Sequence, residues 1–308
     1  MILVAGGTGT LGRSLIPLLA GHGEPIRVLT RGGHPSPQLD LPDVETAIGD
    51  VQRPETIRRA MVGVRTVISA INGFGGNGAL GVKTIDRDGN INLIEAAEAA
   101  GVEHFVLLSI QGAAADHPMQ LFRMKAAAEQ RLRASRLSWT MVRPTAYQET
   151  WLEIVGRPLV TTGSTRVFGR GQNPINFVSA GDVARIIDLA VTDPALRGST
   201  VEVPGPENLT LDQFVEIVRT ATGATGTVNH VPLPMLRLMS LVLRPFKPVL
   251  AGQIAAAVVM DTHDMSTDTT ERARRFPLVP VTPLREVAAH QLQPATEVTA
   301  GRPPLPQP

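Results

Sequence analysis

An apolar strand that breaks into glycines and resumes as a helix leaves few folds open, and this chain begins with one. Ile2-Leu3-Val4-Ala5 runs into Gly6-Gly7-Thr8-Gly9-Thr10-Leu11-Gly12. Gly7, Gly9 and Gly12 fit G-x-G-x-x-G, in which one glycine makes a tight turn, one lets backbone approach a pyrophosphate, and one packs helix close to strand. The helix expected from about Leu11 to Ala20 would aim its free N–H groups and positive dipole end at that anion. Gly7, Thr8, Gly9, Thr10, Leu11 and Gly12 are therefore the candidate phosphate-binding residues. A purely structural turn is the alternative. The apolar strand before it, the amphipathic helix after it and a second strand at Ile26–Thr30 favour the nucleotide.

The end of that second strand bears on which nucleotide. A site selective for NAD places an acidic residue there to accept from the adenosine ribose, whereas this chain has Thr30-Arg31. A guanidinium pairs with a 2′-phosphate and a carboxylate repels one, so Arg31 favours NADP(H). The alternative is an ordinary solvated loop cation.

Composition narrows the partners. With 29 Lys and Arg against 28 Asp and Glu, the net charge of +1 gives no field for gathering nucleic acid or an anionic membrane. A small-molecule substrate is expected. The absence of cysteine excludes disulfides, thiolate nucleophiles and Cys-based metal sites, and the seven histidines lack H-E-x-x-H spacing, so no metal is expected. Met1 leads directly into core-type residues without a basic leader, which reads as cytoplasmic. The apolar stretch Leu233 to Met260 is interrupted by Arg237, Arg244, Lys247 and prolines, too short to span a bilayer. It reads as buried helices of a substrate lobe, with membrane-surface contact as the alternative.

Strand and helix signals alternate through the first half, the pattern of an α/β, Rossmann-type doubly wound parallel sheet of six or seven strands. Further strands are expected at Val44–Ile48, Thr66–Ala70, Phe105–Ser109 and Trp139–Arg143. Helices are expected at Pro54–Met61, Ile85–Ala100 and Phe122–Ser135. Residues 1–150 read as the NAD(P)-binding domain. Residues 151–292 read as a smaller, mostly helical C-terminal substrate lobe with elements interleaved with the sheet, and 293–308 as a disordered tail. Ser179 with Asp182, and Thr210 with Gln213, resemble capping boxes, and Thr282-Pro283 resembles a helix start.

In an open parallel sheet ligands lie outside the carboxyl ends of the strands. After the third strand, Asp50 could accept from an adenine amino group with Val51 against the ring. After the fourth, Ala70, Ile71 and Asn72 begin a small-residue loop for the nicotinamide ribose. Both segments could also be plain turns.

After the fifth strand comes Ser109, and on the next helix Lys125. These residues, with Gly6 to Gly12, Gly49-Asp50, Asp86 with Gly89-Asn90, Lys125 with Glu129, and Trp139 to Pro144, resemble the short-chain dehydrogenase/reductase superfamily in order and spacing. The resemblance is to its atypical NmrA-like and isoflavone-reductase-like branch, from Met1 to about Val191. It implies NAD(P) binding, with contacts from Pro144 and Thr145, and a variable C-terminal lobe for the substrate. One departure is chemical. The superfamily pairs Y-x-x-x-K, and here Leu121 stands four residues before Lys125. Leucine cannot transfer a proton.

Lys125 could hold the nicotinamide ribose and offer positive charge to a developing oxyanion, and in isoflavone-reductase-like relatives the matching lysine is assigned an acid/base role. The chain's single tyrosine, Tyr147, follows the sixth strand and could supply the missing proton or pack against a ligand. Asp116-His117 is an alternative acid pair or a surface turn. Lys125, Ser109 and Tyr147 are thus the candidate catalytic residues. The function expected is NADPH-dependent reduction of a small apolar carbonyl, quinone or enone. An NADP(H)-sensing binding protein and a redox-neutral isomerase or cyclase are the alternatives.

Overall fold

Short apolar runs that stop at glycine, serine or proline assemble here into one parallel sheet. The computed structural model describes residues 1–32, 37–76 and 80–292; the expected disordered tail lies outside them. The strands are β1 (Ile2–Ala5), β2 (Ile26–Thr30), β3 (Val44–Ile48), β4 (Thr66–Ser69), β5 (His104–Leu108), β6 (Ser138–Pro144) and β10 (Ser199–Val203), in the order β10-β6-β5-β4-β1-β2-β3. All pairs are parallel. The order reverses between β1 and β4, which opens the crevice where ligands of such sheets sit.

Alternation along the strands builds a core on each face. Ile2, Val4, Val28, Val106 and Leu108 meet α1 (Thr10–Ala20) and α7 (Ala180–Thr192). Leu3, Ala5, Leu29, Phe105 and Leu107 meet α2 (Pro54–Ala60), α3 (Asn90–Ala100) and α4 (Gln120–Arg133). Because α7 and β10 return to the sheet after the chain has left it, residues 180–203 complete the layer begun by the first six strands.

The rest forms a smaller lobe with its own core. A three-stranded sheet of β7 (Ala146–Tyr147), β9 (Ile175–Val178) and β11 (Glu207–Leu209) and a pair of β8 (Ser164–Phe168) and β12 (Thr227–Val231) carry it. Phe177, Phe214, Leu152 and Met260 pack with Leu121 and Phe122, which α4 lends from the sheet layer. The helices are α5 (Gln148–Trp151), α6 (Arg157–Thr162), α8 (Leu211–Thr222), α9 (Leu233–Leu243), α10 (Pro248–Thr262), α11 (Thr270–Arg275) and α12 (Leu284–Gln291).

Four local expectations change. The helix expected at Ile85–Ala100 begins with wide π-type turns over Lys83–Gly89, and both Asp86 and Asn90 are buried there. Thr210 and Gln213, by contrast, make the full reciprocal capping box expected of them. Ser179 caps only through Gly181 N, because Asp182 turns inward to Arg272 (3.1 Å) and to the Thr282 hydroxyl (2.7 Å). That bond also occupies Thr282, so α12 starts one residue later than expected, after Pro283. Finally, α9 buries only Leu236, so it is not the interior helix expected of the apolar stretch.

Candidate active site

The parallel strands deliver their carboxyl ends to one edge, and the glycine loop lies at the reversal. The left-handed turn falls on Gly6 (φ 92°) rather than on Gly7, and a Cβ there would sit 2.5 Å from Ala70 O. The loops after β1 and β4 therefore touch backbone to backbone. Gly12 has no room either, since a Cβ would lie 2.0 Å from Gly7 O. Gly9 is different: a Cβ would meet only Gly6 O at 3.4 Å, and Thr8 and Gly9 are exposed. This glycine leaves its open side to a ligand.

At the start of α1, Gly9 supplies no side-chain cap and the first turn holds no acidic residue. Helix N–H groups there have no intrahelical partner, and with the dipole they suit a pyrophosphate. Gln38, missed in the sequence, is buried and donates from Nε2 to Gly7 O (3.1 Å), bracing the loop from beneath. No pattern announces it. Arg31 stands exposed just past β2. Asp50 accepts from Gln52 N (2.9 Å) in a tight turn, Val51 packs into the core beside Gly89, and Asn72 accepts from Phe74 N (2.7 Å).

Behind the β4 and β5 loops runs a buried polar chain. Ser69 Oγ donates to Asn90 Oδ1 (2.6 Å), and Asn90 Nδ2 donates to Asp86 O (2.8 Å). Asp86 Oδ2 accepts from Gly73 N (2.9 Å), and its Oδ1 lies 3.0 Å from Lys125 Nζ. Lys125, only 4% exposed, also donates to Ile71 O and Leu108 O, each at 3.0 Å. Two of the ammonium's protons are given to backbone carbonyls, and its charge is paired with the Asp86 carboxylate, whose Oδ1 accepts no hydrogen bond among the described residues. Lys125 thus ties the loops after β4 and β5 together and is not the solvated surface cation that a helical lysine usually is. Asp86 and Asn90, one turn apart, were visible in the sequence as a pattern, without their partners.

The opposite condition holds at the neighbouring strand ends. Ser109 Oγ, Gln111 Oε1 and Tyr147 OH are buried without a hydrogen-bond partner among the described residues. Burial pushes the Tyr147 phenol well above its usual range, helped by the nearby Glu149 carboxylate, so it stays protonated and can only donate weakly. Pro144 is buried, and the Thr145 hydroxyl donates to Asn176 Oδ1 (2.8 Å). Asp116-His117 lies in the turn before α4, where the His117 ring stacks on Phe122 at 3.9 Å and burial lowers its pKa. Leu121, at the place of the superfamily's tyrosine, packs into the lobe core.

A protein-family model described as NAD(P)H-binding matches residues 6–194. The chain belongs to this NAD(P)H-binding family. Its glycine loop, uncapped helix start and backbone-tight turns fit that cofactor, and the NmrA-like resemblance is borne out. An NAD(P)H azoreductase of Xenophilus azovorans is 30% identical over 72% of this chain and 74% of its own. The photosystem II assembly factor Ycf39 of Trieres chinensis is 26% identical over 89% of this chain and 86% of its own. Among solved structures, the NADPH-dependent quinone oxidoreductase of Escherichia coli complexed with NADPH superposes with a TM-score of 0.76 at 21% identity, covering 94% of this chain and 99% of that one. At that identity the likeness carries the fold alone.

Proposed function

We propose that this family member is an NADPH-dependent reductase of a small apolar acceptor, a quinone, an enone or an activated carbonyl. The observation that carries the reading is the contrast between a Lys125 engaged by two backbone carbonyls and the Asp86 carboxylate and the unpaired Ser109 and Tyr147 hydroxyls at the same edge of the sheet. Leaving a buried hydroxyl unpaired costs about 1–3 kcal/mol, a cost relieved when an acceptor oxygen arrives. Bound reduced nicotinamide supplies a hydride. Residues 7–12 hold the pyrophosphate on the α1 N-terminus, Arg31 holds the 2′-phosphate, and Asp50 and Val51 border the adenine. Ala70, Ile71 and Asn72, with Pro144 and Thr145, border the nicotinamide ribose.

In this reading Lys125 acts as a positioning residue, fastening the Ile71 and Leu108 carbonyls so that Ser109 and the ribose loop keep their places. Ser109 and Tyr147 donate to the acceptor oxygen. Their weak acidity suits a product whose negative charge is delocalised, which also accounts for Leu121 in place of the superfamily's tyrosine. Residues 1–150 with the returning 180–203 form the cofactor half, and the remainder up to 292 the substrate lobe. The azoreductase relative favours this reading. The Leu121 departure and the assembly-factor relatives favour a second one, in which cofactor binding is passed to a protein partner without turnover.

The test is oxidation of NADPH in the presence of a panel of quinones, enones and azo dyes. Turnover is expected, lowered at least tenfold by Ser109→Ala or Tyr147→Phe with NADPH affinity retained. Tight NADPH binding with no turnover on any acceptor supports the second reading instead.

A further inference from the structure

In the lobe, α9 packs against α10, and Leu236, 1% exposed, is the one residue it buries. Among the described residues nothing covers its other apolar side. Met235, Leu238, Met239 and Val242 recur at i, i+3, i+4 and i+7, a stripe of helical period that in a soluble protein is ordinarily buried. Leu238 is 62% exposed, and Phe246, on the turn that follows between Pro245 and Lys247, is 80% exposed. With Leu241, also exposed, these side chains leave α9 and the turn after it with much apolar surface in solvent.

Charge says what kind of surface covers it. From residue 217 to residue 260 the chain contains no Asp or Glu, while Arg237, Arg244 and Lys247 stand exposed on α9 and its turn. The near-zero net charge of the whole chain hides this local excess. Pairing with a second copy of the chain would bring two such cationic hairpins together. A protein groove would need a shape matched to a protruding phenyl ring, whereas a fluid acyl layer needs no shape. We propose that α9 and the Pro245–Pro248 turn lie in the interface of an anionic lipid bilayer, the apolar stripe and Phe246 among the acyl chains and the cations at the headgroups.

Flotation with vesicles of phosphatidylcholine containing phosphatidylglycerol, and with phosphatidylcholine alone, tests this on the full chain. Binding is expected to the anionic vesicles and to weaken in high salt. Leu238→Ser with Phe246→Ser should lower it at least tenfold, and each of Arg244→Glu and Lys247→Glu about fivefold or more. Unchanged NADPH affinity in each variant shows that the sheet domain is intact. These substitutions lie outside the proposed cofactor site, so failure here leaves the reductase reading standing. The proposal is overturned by absence of binding to anionic vesicles, by binding that the serine variant does not weaken, or by a concentration-dependent dimer that the serine variant dissolves.

Discussion

The crevice at the sheet reversal and the outer face of the C-terminal lobe handle exposed chemistry in opposite ways. At the crevice, backbone meets backbone at distances that admit no Cβ, and a buried lysine is held by two backbone carbonyls and a buried carboxylate. On α9, apolar side chains stand in solvent and cations lack a carboxylate anywhere in the local sequence. The first arrangement is built to hold a fixed polar ligand at set positions. The second tolerates a partner that has no fixed shape. One scaffold thus separates a part whose geometry is tightly fixed from a part whose apolar side chains are left exposed.

The sharpest way to break the contrast is at the glycines. Gly12→Ala drives a methyl into Gly7 O and should cost about 4 kcal/mol or more, or prevent folding. Gly9→Ala meets nothing closer than 3.4 Å and should change stability by about 0.5 kcal/mol or less while lowering NADPH affinity. Urea unfolding together with cofactor titration separates the two. Equal stability losses at both positions would show that the loop is merely tight and not shaped for a ligand.

Asp86→Ala comes next, because it strands the buried Lys125 ammonium. A loss of about 3–5 kcal/mol is expected. Adding Lys125→Met should recover much of it, and a double variant no better than Asp86→Ala would deny the coupling.

At the opposite end of the sheet, burial lowers the His104 pKa from its ordinary value near 6.5 to about 4. Its Nε2 lies 3.0 Å from the Thr140 hydroxyl, which in turn donates to Leu196 O (3.0 Å). The unfolded chain therefore binds a proton more readily than the folded one. Stability is unaffected by this group above pH 6.5, falls as pH drops from 6.5 toward 4, and loses up to about 3 kcal/mol. Urea unfolding at neutral and acid pH should show that slope, and His104→Gln should flatten it.

The smallest effect concerns the lobe. Thr210→Ala removes a complete capping box and should cost about 1 kcal/mol. Ser179→Ala, whose box is incomplete, should cost less in the helix itself.

The sheet was legible because its strands are short apolar runs between turn residues, and the glycine loop because only glycine fits there. What escaped depended on contacts distant in sequence. Gln38 reaches Gly7 from a segment without pattern, and Asp182 left its expected cap for Arg272 and Thr282, about a hundred residues away. The role of Gly6 was hidden by its neighbour Gly7, since the sequence alone does not say which of two glycines takes the positive φ. For Lys125 the position was visible and its surroundings were not: its two carbonyl acceptors and its paired carboxylate come from three separate segments. The apolar content of α9 was visible too, but apolar helices are usually interior, and only the packed lobe shows which face is left over.

The central claim, a phosphorylated nicotinamide cofactor seated on the α1 N-terminus and chosen by Arg31, is tested most directly by fluorescence titration of NADPH and NADH against the wild type and Arg31→Asp. The wild type should bind NADPH at least tenfold more tightly than NADH, and the substitution should remove or reverse that preference without changing stability. An NADPH-to-NADH ratio that is the same in both proteins, or no binding of either nucleotide, would contradict it.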